Sequence, residues 1–511
     1  MGDLGFWALA QEDPDHLALV TPEGEELSAG TLLGRANQVV HALRGLGLQP
    51  GDTVATVLPN CTEAIELYLA CLQAGWYLVP INHHLVAPEI AYILSDSEAK
   101  VFVAHERFAD ACLDAADQAE IPGTACLAVG EIVGFSSYER ARQSQPGTLP
   151  EHRTIGDVMN YTSGTTGNPK GVFRPLSGAS PEEAALGLSG ILFLFGINPG
   201  DGNVHIVGSP LYHTAVLRFG GASIHFGHTL VLMDKWTPEE MLRLIDERRV
   251  TTSHMVPTQF HRLLALPDEV RRRYDLSSLR HMIHAAAPCP VDVKHKMIEW
   301  WGPVIDEYYA ASEGGGTVVN TEDWLKKPGT VGKAWPISEI AIFDDEGKQI
   351  TEPGVIGTVY MAMQTGDFEY HNDEEKTRSN RIGKYFTVGD VGYLDEDGYL
   401  FLRDRKIDMI ISGGANIYPA EIENVLLMHP AVGDVAVFGI PDEDWGESVK
   451  AVVEPSAGFE AGPQLAADIL SFCADKLARF KTPKSVDFVS ELPRDPNGKL
   501  YKRKLRDPYW N

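Results

Sequence analysis

The 511-residue chain is poor in cysteine, and none of it is arranged for metal or redox chemistry. Its six cysteines (Cys61, Cys71, Cys112, Cys126, Cys289, Cys473) are scattered, with no CxxC pair. That excludes a zinc knuckle or a dithiol motif and predicts free thiols in a reducing compartment. Positive charge is scarce too: 43 Lys and Arg against 71 Asp and Glu leave a net charge of −28. Such a field repels polyanions, so neither nucleic acid nor an anionic membrane is an expected partner. Any phosphate site must be local. No apolar run approaches the roughly 20 residues that span a bilayer. The opening MGDLGFWALAQEDPDH lacks a basic n-region and an apolar core, so no signal peptide and a cytoplasmic location are expected. Internal repeats and low-complexity tracts are absent as well.

What is present is ordinary globular composition, 44% hydrophobic and 22% charged, long enough for more than one domain. In SAGTLLGRANQVVHALRGLG, Ser28 is placed to cap a helix whose apolar residues (Leu32, Leu33, Ala36, Val39, Val40, Leu43) recur at helical spacing. GDTVATVLP (51–59) reads as a strand, TEAIELYLACLQAG (62–75) as a helix closed by Gly75, and AKVFVAHE (99–106) as a strand. This alternation predicts an α/β fold in which a mostly parallel sheet is covered by helices. The same style is expected to continue to about residue 400. The glycines of GLGLQPG (45–51) follow no strand and open no helix, so they are no dinucleotide fingerprint.

Beyond residue 400 the pattern changes. Asp397-Gly398 signals a hairpin. AEIENVLLMHP (helix), VGDVAVFGIPD and ESVKAVVEP (strands) and AADILSFCADKLARFKTP (helix) then form a compact α+β unit of about a hundred residues. The expected division is a large domain over 1–404, a hinge at 405–408 and a small domain over 409–511. From Cys473 to Arg506 basic residues outnumber acidic ones, against the trend of the chain, as a surface meeting a phosphorylated ligand would require.

YTSGTTGNPKGV (161–172) has the ingredients of a phosphate loop. Gly164 and Gly167 let backbone N–H groups approach an anion. Thr162, Ser163, Thr165 and Thr166 add hydroxyls, and Lys170 adds a point charge. It is not a Walker A loop: Pro169 precedes the lysine, no Ser or Thr follows it, and proline disfavours helix in the residue before it. A polar hairpin turn is the competing reading.

The stretch resembles the phosphate-loop signature of the adenylate-forming (AMP-binding) enzymes, in particular the acyl-CoA synthetase branch. Further segments resemble that family in order along the chain. GSPLYHTA (208–215) places His213 beside the substrate carboxylate. HAAAPCP (284–290), with Ala286, resembles the stretch lining the nucleotide. EYYAASEGGG (307–316) puts Tyr309 where an aromatic stacks on adenine, Ser312 where threonine is usual, and Glu313 where the magnesium-linked carboxylate sits. YFTVGDVG (385–392) puts Asp390 at the ribose hydroxyls. RDRKIDMIISGGANIYPAEIE (403–423) resembles the hinge segment, with Arg405 as its ribose-contacting arginine. LPRDPNGKLYKRKLR (492–506) carries Lys499 at the position of the catalytic lysine.

The resemblance implies a reaction. A carboxylate and ATP give an acyl-adenylate and pyrophosphate, and the thiol of CoA then captures the acyl group. Two anions must meet in the first step, so fixed cations in a water-poor site lower its barrier. Lys499 would bridge the carboxylate and the α-phosphate. Mg²⁺, held through Glu313 with Thr162 and the phosphates, would neutralise further charge. No side-chain nucleophile is needed, in keeping with the absence of a GxSxG elbow. Rotation of the small domain would then bring Gly413 and Gly414 to the thioester face, where side chains would obstruct pantetheine. Four positions depart from the family pattern: Ile407 stands where the hinge usually has a charged residue, Ala310 replaces glycine, Val388 replaces threonine, and Ser312 replaces threonine while keeping a hydroxyl.

The acid is poorly encoded. Gly314 and Gly315, with Gly316, either leave room for a large acyl group or let the strand turn close to the ligand. The first reading points to a long-chain fatty or bulky, polycyclic acid. His281 and His284 have no third ligand in view and are expected to be structural. Transfer to a carrier-protein pantetheine, luciferase-type oxygenation and a non-catalytic nucleotide-binding module are the alternatives. The lack of an appended carrier or reductase domain favours free CoA. Oligomeric state is not encoded.

Overall fold

The computed structural model describes residues 4–162, 169–364, 368–405, 408–413, 415–474, 476–494 and 500–510. The first layer is a six-stranded, wholly parallel sheet. Its order is Ser136–Ser137, Cys126–Val129, Ala99–His105, Thr53–Val57, Tyr77–Pro80, Asp157–Val158. Its inner strands are largely buried on both faces, as packing between helices demands. The helix Ala29–Gly45 starts where the Ser28 side chain accepts the Thr31 N–H. The helix Thr62–Ala74 ends at Gly75, whose left-handed φ of 75° glycine adopts without strain.

A second, nine-stranded sheet is parallel through its centre, from Ile305–Ala310 across His281–His284, Thr252–Met255, Val204–Val207 and Thr229–Leu232 to Leu17–Val20. Antiparallel strands close both edges. Loops leaving the carboxyl ends of both parallel sheets converge on one cavity, the usual place for a ligand in such sheets.

The βα alternation stops earlier than residue 400. From Ser338 to Arg405 seven of the described strands pair antiparallel in one sheet, while Glu369–Tyr370 instead joins the Lys170–Phe173 strand. Gly398, at φ 80°, makes the expected hairpin between Asp390–Leu394 and Leu400–Arg405.

The small C-terminal domain has its own core, built on Ile410, Ile422, Val437, Ala451 and Ile469. A five-stranded sheet carries it, dominated by the antiparallel pair Val432–Asp442 and Gly446–Pro455. Its second helix, Pro463–Ala474, is shorter than the sequence predicts. Lys476 and Leu477 both donate to the Cys473 carbonyl in a tightened turn, and Lys481 reaches Glu421 at 2.7 Å instead of continuing the axis. Among the described residues no helix is long and apolar enough to cross a membrane.

Candidate active site

The cavity has a volume of about 2350 Å³ and lies between the large domain and the small one. Both contribute lining: Glu313, Asp390 and His213 from the first, Glu423, Arg494 and Lys502 from the second.

Glu313 is nearly buried, 9% exposed. The Tyr370 hydroxyl donates to its Oε1 at 2.7 Å. Arg174 Nη2 donates to the carbonyls of Ser312 (2.8 Å) and Glu313 (3.0 Å), and Ser312 Oγ reaches Thr214 Oγ1 at 3.3 Å. These bonds fix the turn that presents the carboxylate. Tyr370 comes from a strand, Glu369–Tyr370, that pairs with the Lys170–Phe173 strand leaving the candidate phosphate loop. The loop and the carboxylate therefore share one support.

The Tyr309 hydroxyl donates to Asp390 Oδ2 at 2.6 Å, and Arg405 Nε stands 3.4 Å from Oδ1. Burial raises the Asp390 pKa, with Arg405 and the Tyr309 hydroxyl opposing. The same surroundings push the Tyr309 phenol well up, burial first and the Asp390 charge second. Arg405, at the end of the strand Leu400–Arg405, is thus already engaged with the Asp390 carboxylate on the paired strand.

Ala286 lines the cavity with φ 73°, a left-handed conformation that costs a non-glycine residue about 1 kcal/mol or more. Behind it, Lys294 Nζ donates to Glu307 Oε2 at 2.6 Å, with His284 Nε2 3.5 Å away and the ammonium 4.6 Å from the Trp324 ring centroid. Lys294 is fully buried. Burial raises the Glu307 pKa and pushes His284 well below its ordinary value. His281 pairs with Asp306 at 3.1 Å. His281 is held by a carboxylate of the neighbouring strand, whereas neither ring nitrogen of His284 makes a hydrogen bond among the described residues.

His213 caps the helix Thr214–His225, lines the cavity, and lies with its ring 4.3 Å from that of Tyr212. Lys170 does not line the cavity. It faces Asp373 at 3.5 Å, and its pKa is raised, with burial opposing and Tyr92 and Asp373 favouring the charge. Tyr161 and Thr162 pair antiparallel with Gly171 and Lys170, so the loop's two ends form a hairpin. Ser163, Gly164, Thr165, Thr166 and Gly167, like Gly414, Ile407 and Lys499, lie outside the described residues, as does the Thr162 side chain. Arg494 and Leu500, which flank the Lys499 segment, are bridged to each other and line the cavity.

The glycines have local reasons. Gly314 and Gly315 adopt φ 125° and 74°, and a Cβ on Gly315 would stand 3.2 Å from Ser338 Oγ and Met361. A Cβ on Gly316 would meet the Tyr309 carbonyl. These contacts support the close-turn reading of the run. Gly413 (φ 57°) is covered by the Trp445 ring and is not part of the cavity in this arrangement.

Among the described residues no group of three or more His, Cys, Asp or Glu could hold a metal. Glu313 keeps one oxygen clear of the Tyr370 bond, and a single carboxylate fits a magnesium ion that arrives with phosphate ligands of its own. Tyr370 and Arg174 escaped the sequence reading. Arg174 had a signal, a lone cation in the apolar stretch GVFRPL; Tyr370 had none.

The family model of AMP-binding enzymes matches residues 6–365, and that of the AMP-binding enzyme C-terminal domain matches 421–499. The chain is 34% identical to a long-chain-fatty-acid–CoA ligase of Mycobacterium tuberculosis, over 98% of each chain. It is 32% identical to a fatty acid–[acyl-carrier-protein] ligase of Streptomyces coeruleorubidus, over 98% of this chain and 95% of that one. The ATP-bound structure of MatB from Rhodopseudomonas palustris superposes with a TM-score of 0.84 at 30% identity, covering 100% of this chain and 99% of that one.

Proposed function

We propose that this chain, which belongs to the AMP-binding enzyme family, is an acid–thiol ligase that activates a carboxylic acid with ATP as acyl-AMP and passes the acyl group to CoA. One observation carries the reading. Glu313, Ala286, His213, the Asp390–Arg405 pair and both residues flanking the Lys499 segment line a single interdomain cavity.

The residues divide the work as follows. Asp390 and Arg405 hold the ribose, and Tyr309 packs against the base. The backbone and hydroxyls of the 162–167 loop grip the phosphates that depart as pyrophosphate. The substrate carboxylate attacks the α-phosphorus, and the P–O bond to pyrophosphate breaks. Lys499 sits across the two meeting anions, where a fixed charge in a water-poor site is most effective. Magnesium, bound with ATP, supplies further charge neutralisation, and Glu313 is the residue that would hold it. Turning about a hinge at 405–408 then replaces the Lys499 face by the Gly413–Gly414 face for thiol attack on the acyl carbonyl.

The relatives include ligases that name CoA and one that names acyl-carrier protein as acceptor, so a carrier-protein pantetheine is the second reading. Product analysis tests both. With a suitable acid, ATP and CoA, the reading predicts AMP, pyrophosphate and acyl-CoA in equal amounts. AMP and pyrophosphate without acyl-CoA would favour the carrier. ADP and phosphate would contradict the proposal.

A further inference from the structure

Below the Ser312–Glu313 turn the cavity continues along one face of the helix Thr214–His225. That helix is buried at Val216, Leu217 and everywhere from Phe219 onward. Its remaining stripe is Thr214, Ala215 and Arg218, and all three line the cavity. Four residues make just over one turn, so Arg218 lies about 6 Å further along the axis than Thr214, on the same side. Thr214 marks the upper end, because its hydroxyl meets Ser312.

Arg218 has Tyr68, Tyr308, Arg174 and Asp157 within electrostatic reach. Yet it makes no hydrogen bond or ion pair among the described residues. The floor beneath it is closed where the Tyr68 hydroxyl covers Gly221 in the place of a Cβ. Behind the helix, Phe219 packs against Tyr308 (5.5 Å), His254 (5.1 Å) and Phe195 (5.8 Å), so rings close that side of the helix. Arg174 faces both Asp157 and Glu313, so Asp157, the carboxylate within reach of Arg218, is shared with Arg174. Arg218 is exposed to the cavity, and its planar fork matches a carboxylate.

We propose that Arg218 reads a second carboxylate on the acid, so that the substrate is a compact dicarboxylic acid and not a long apolar one. This rests on the cavity being the acid site of the proposed ligase. One carboxylate, at the Ser312–Glu313 end, attacks the α-phosphorus and expels pyrophosphate. The other stays ionised against Arg218, about one helical turn deeper, which suits a backbone of roughly three to six carbons.

The test is pyrophosphate release with matched pairs of monocarboxylic and dicarboxylic acids of three to six carbons, for the wild type, Arg218→Met and Arg218→Lys. ATP binding by calorimetry checks that each variant is folded. The wild type should favour a diacid over its monoacid partner at least tenfold in kcat/KM. Met should lower that ratio at least tenfold, and Lys should keep part of it. A wild type that prefers monoacids or amino acids, or a Met variant with the wild-type ratio, overturns the assignment of Arg218 and leaves the ligase standing. No pyrophosphate release with any acid overturns both.

Discussion

The Tyr370 hydroxyl donates to the Glu313 carboxylate at 2.7 Å, across 57 residues of sequence and between two different sheets. Removing that phenol leaves one buried carboxylate oxygen without its partner. A hydrogen bond to a charged group is worth about 1.5–3 kcal/mol. Tyr370→Phe is therefore expected to slow acid-dependent ATP consumption roughly 10- to 100-fold while the thermal midpoint moves little. Steady-state kinetics beside a melting curve decide it. Wild-type turnover in the variant would remove Tyr370 from the site.

Lys294 and Glu307 form a buried pair behind Ala286. Lys294→Met leaves Glu307 buried and unpaired, a loss of about 3–5 kcal/mol. Adding Glu307→Gln should restore part of it, since a neutral amide needs no counter-charge. Urea unfolding of the two variants checks the order. A single variant as stable as the wild type would mean that the pair is not desolvated.

Asp390 takes both the Tyr309 hydroxyl and Arg405. Asp390→Ala should weaken ATP binding at least tenfold, about 1.4 kcal/mol, as read by calorimetry. Equal affinity would place the nucleotide elsewhere.

Burial pushes His205, His225 and His254 down to about 3. His225 Nδ1 accepts the Phe6 N–H at 3.1 Å, so that nitrogen carries no proton in the fold. The unfolded chain binds protons below a pH of about 6.5, and the folded one does not. Their stabilisation is complete above that pH and is lost as pH falls towards 3. Glu66 and Glu307, pushed up by burial, act in the opposite sense. The decisive quantity is thus the change on removing one histidine. His225→Gln should flatten the fall in urea midpoint between pH 7 and 5. An unchanged slope would contradict the burial argument.

How much of this was legible in the sequence depends on the length scale of each signal. The caps at Ser28 and Gly75 and the Asp397-Gly398 hairpin are local, and they stand where the residues put them. The antiparallel sheet after Ser338 was missed because a short strand buried on one side carries no mark of its partner's direction. The helix after Pro463 was read too long because Lys481 is drawn away by Glu421, 60 residues earlier. At the site, Glu313, Asp390 and Arg405 sit in recognisable segments. Tyr370, Arg174 and Arg218 matter only through what they face, and spacing along one chain does not record that.

The most direct measurement is acid-dependent exchange of labelled pyrophosphate into ATP, with conversion of supplied acyl-adenylate to acyl-CoA followed in parallel, for the wild type and Lys499→Ala. The account predicts that the wild type performs both half-reactions. The variant should lose exchange by several orders of magnitude yet still form the thioester. Exchange at the wild-type rate in Lys499→Ala would contradict it.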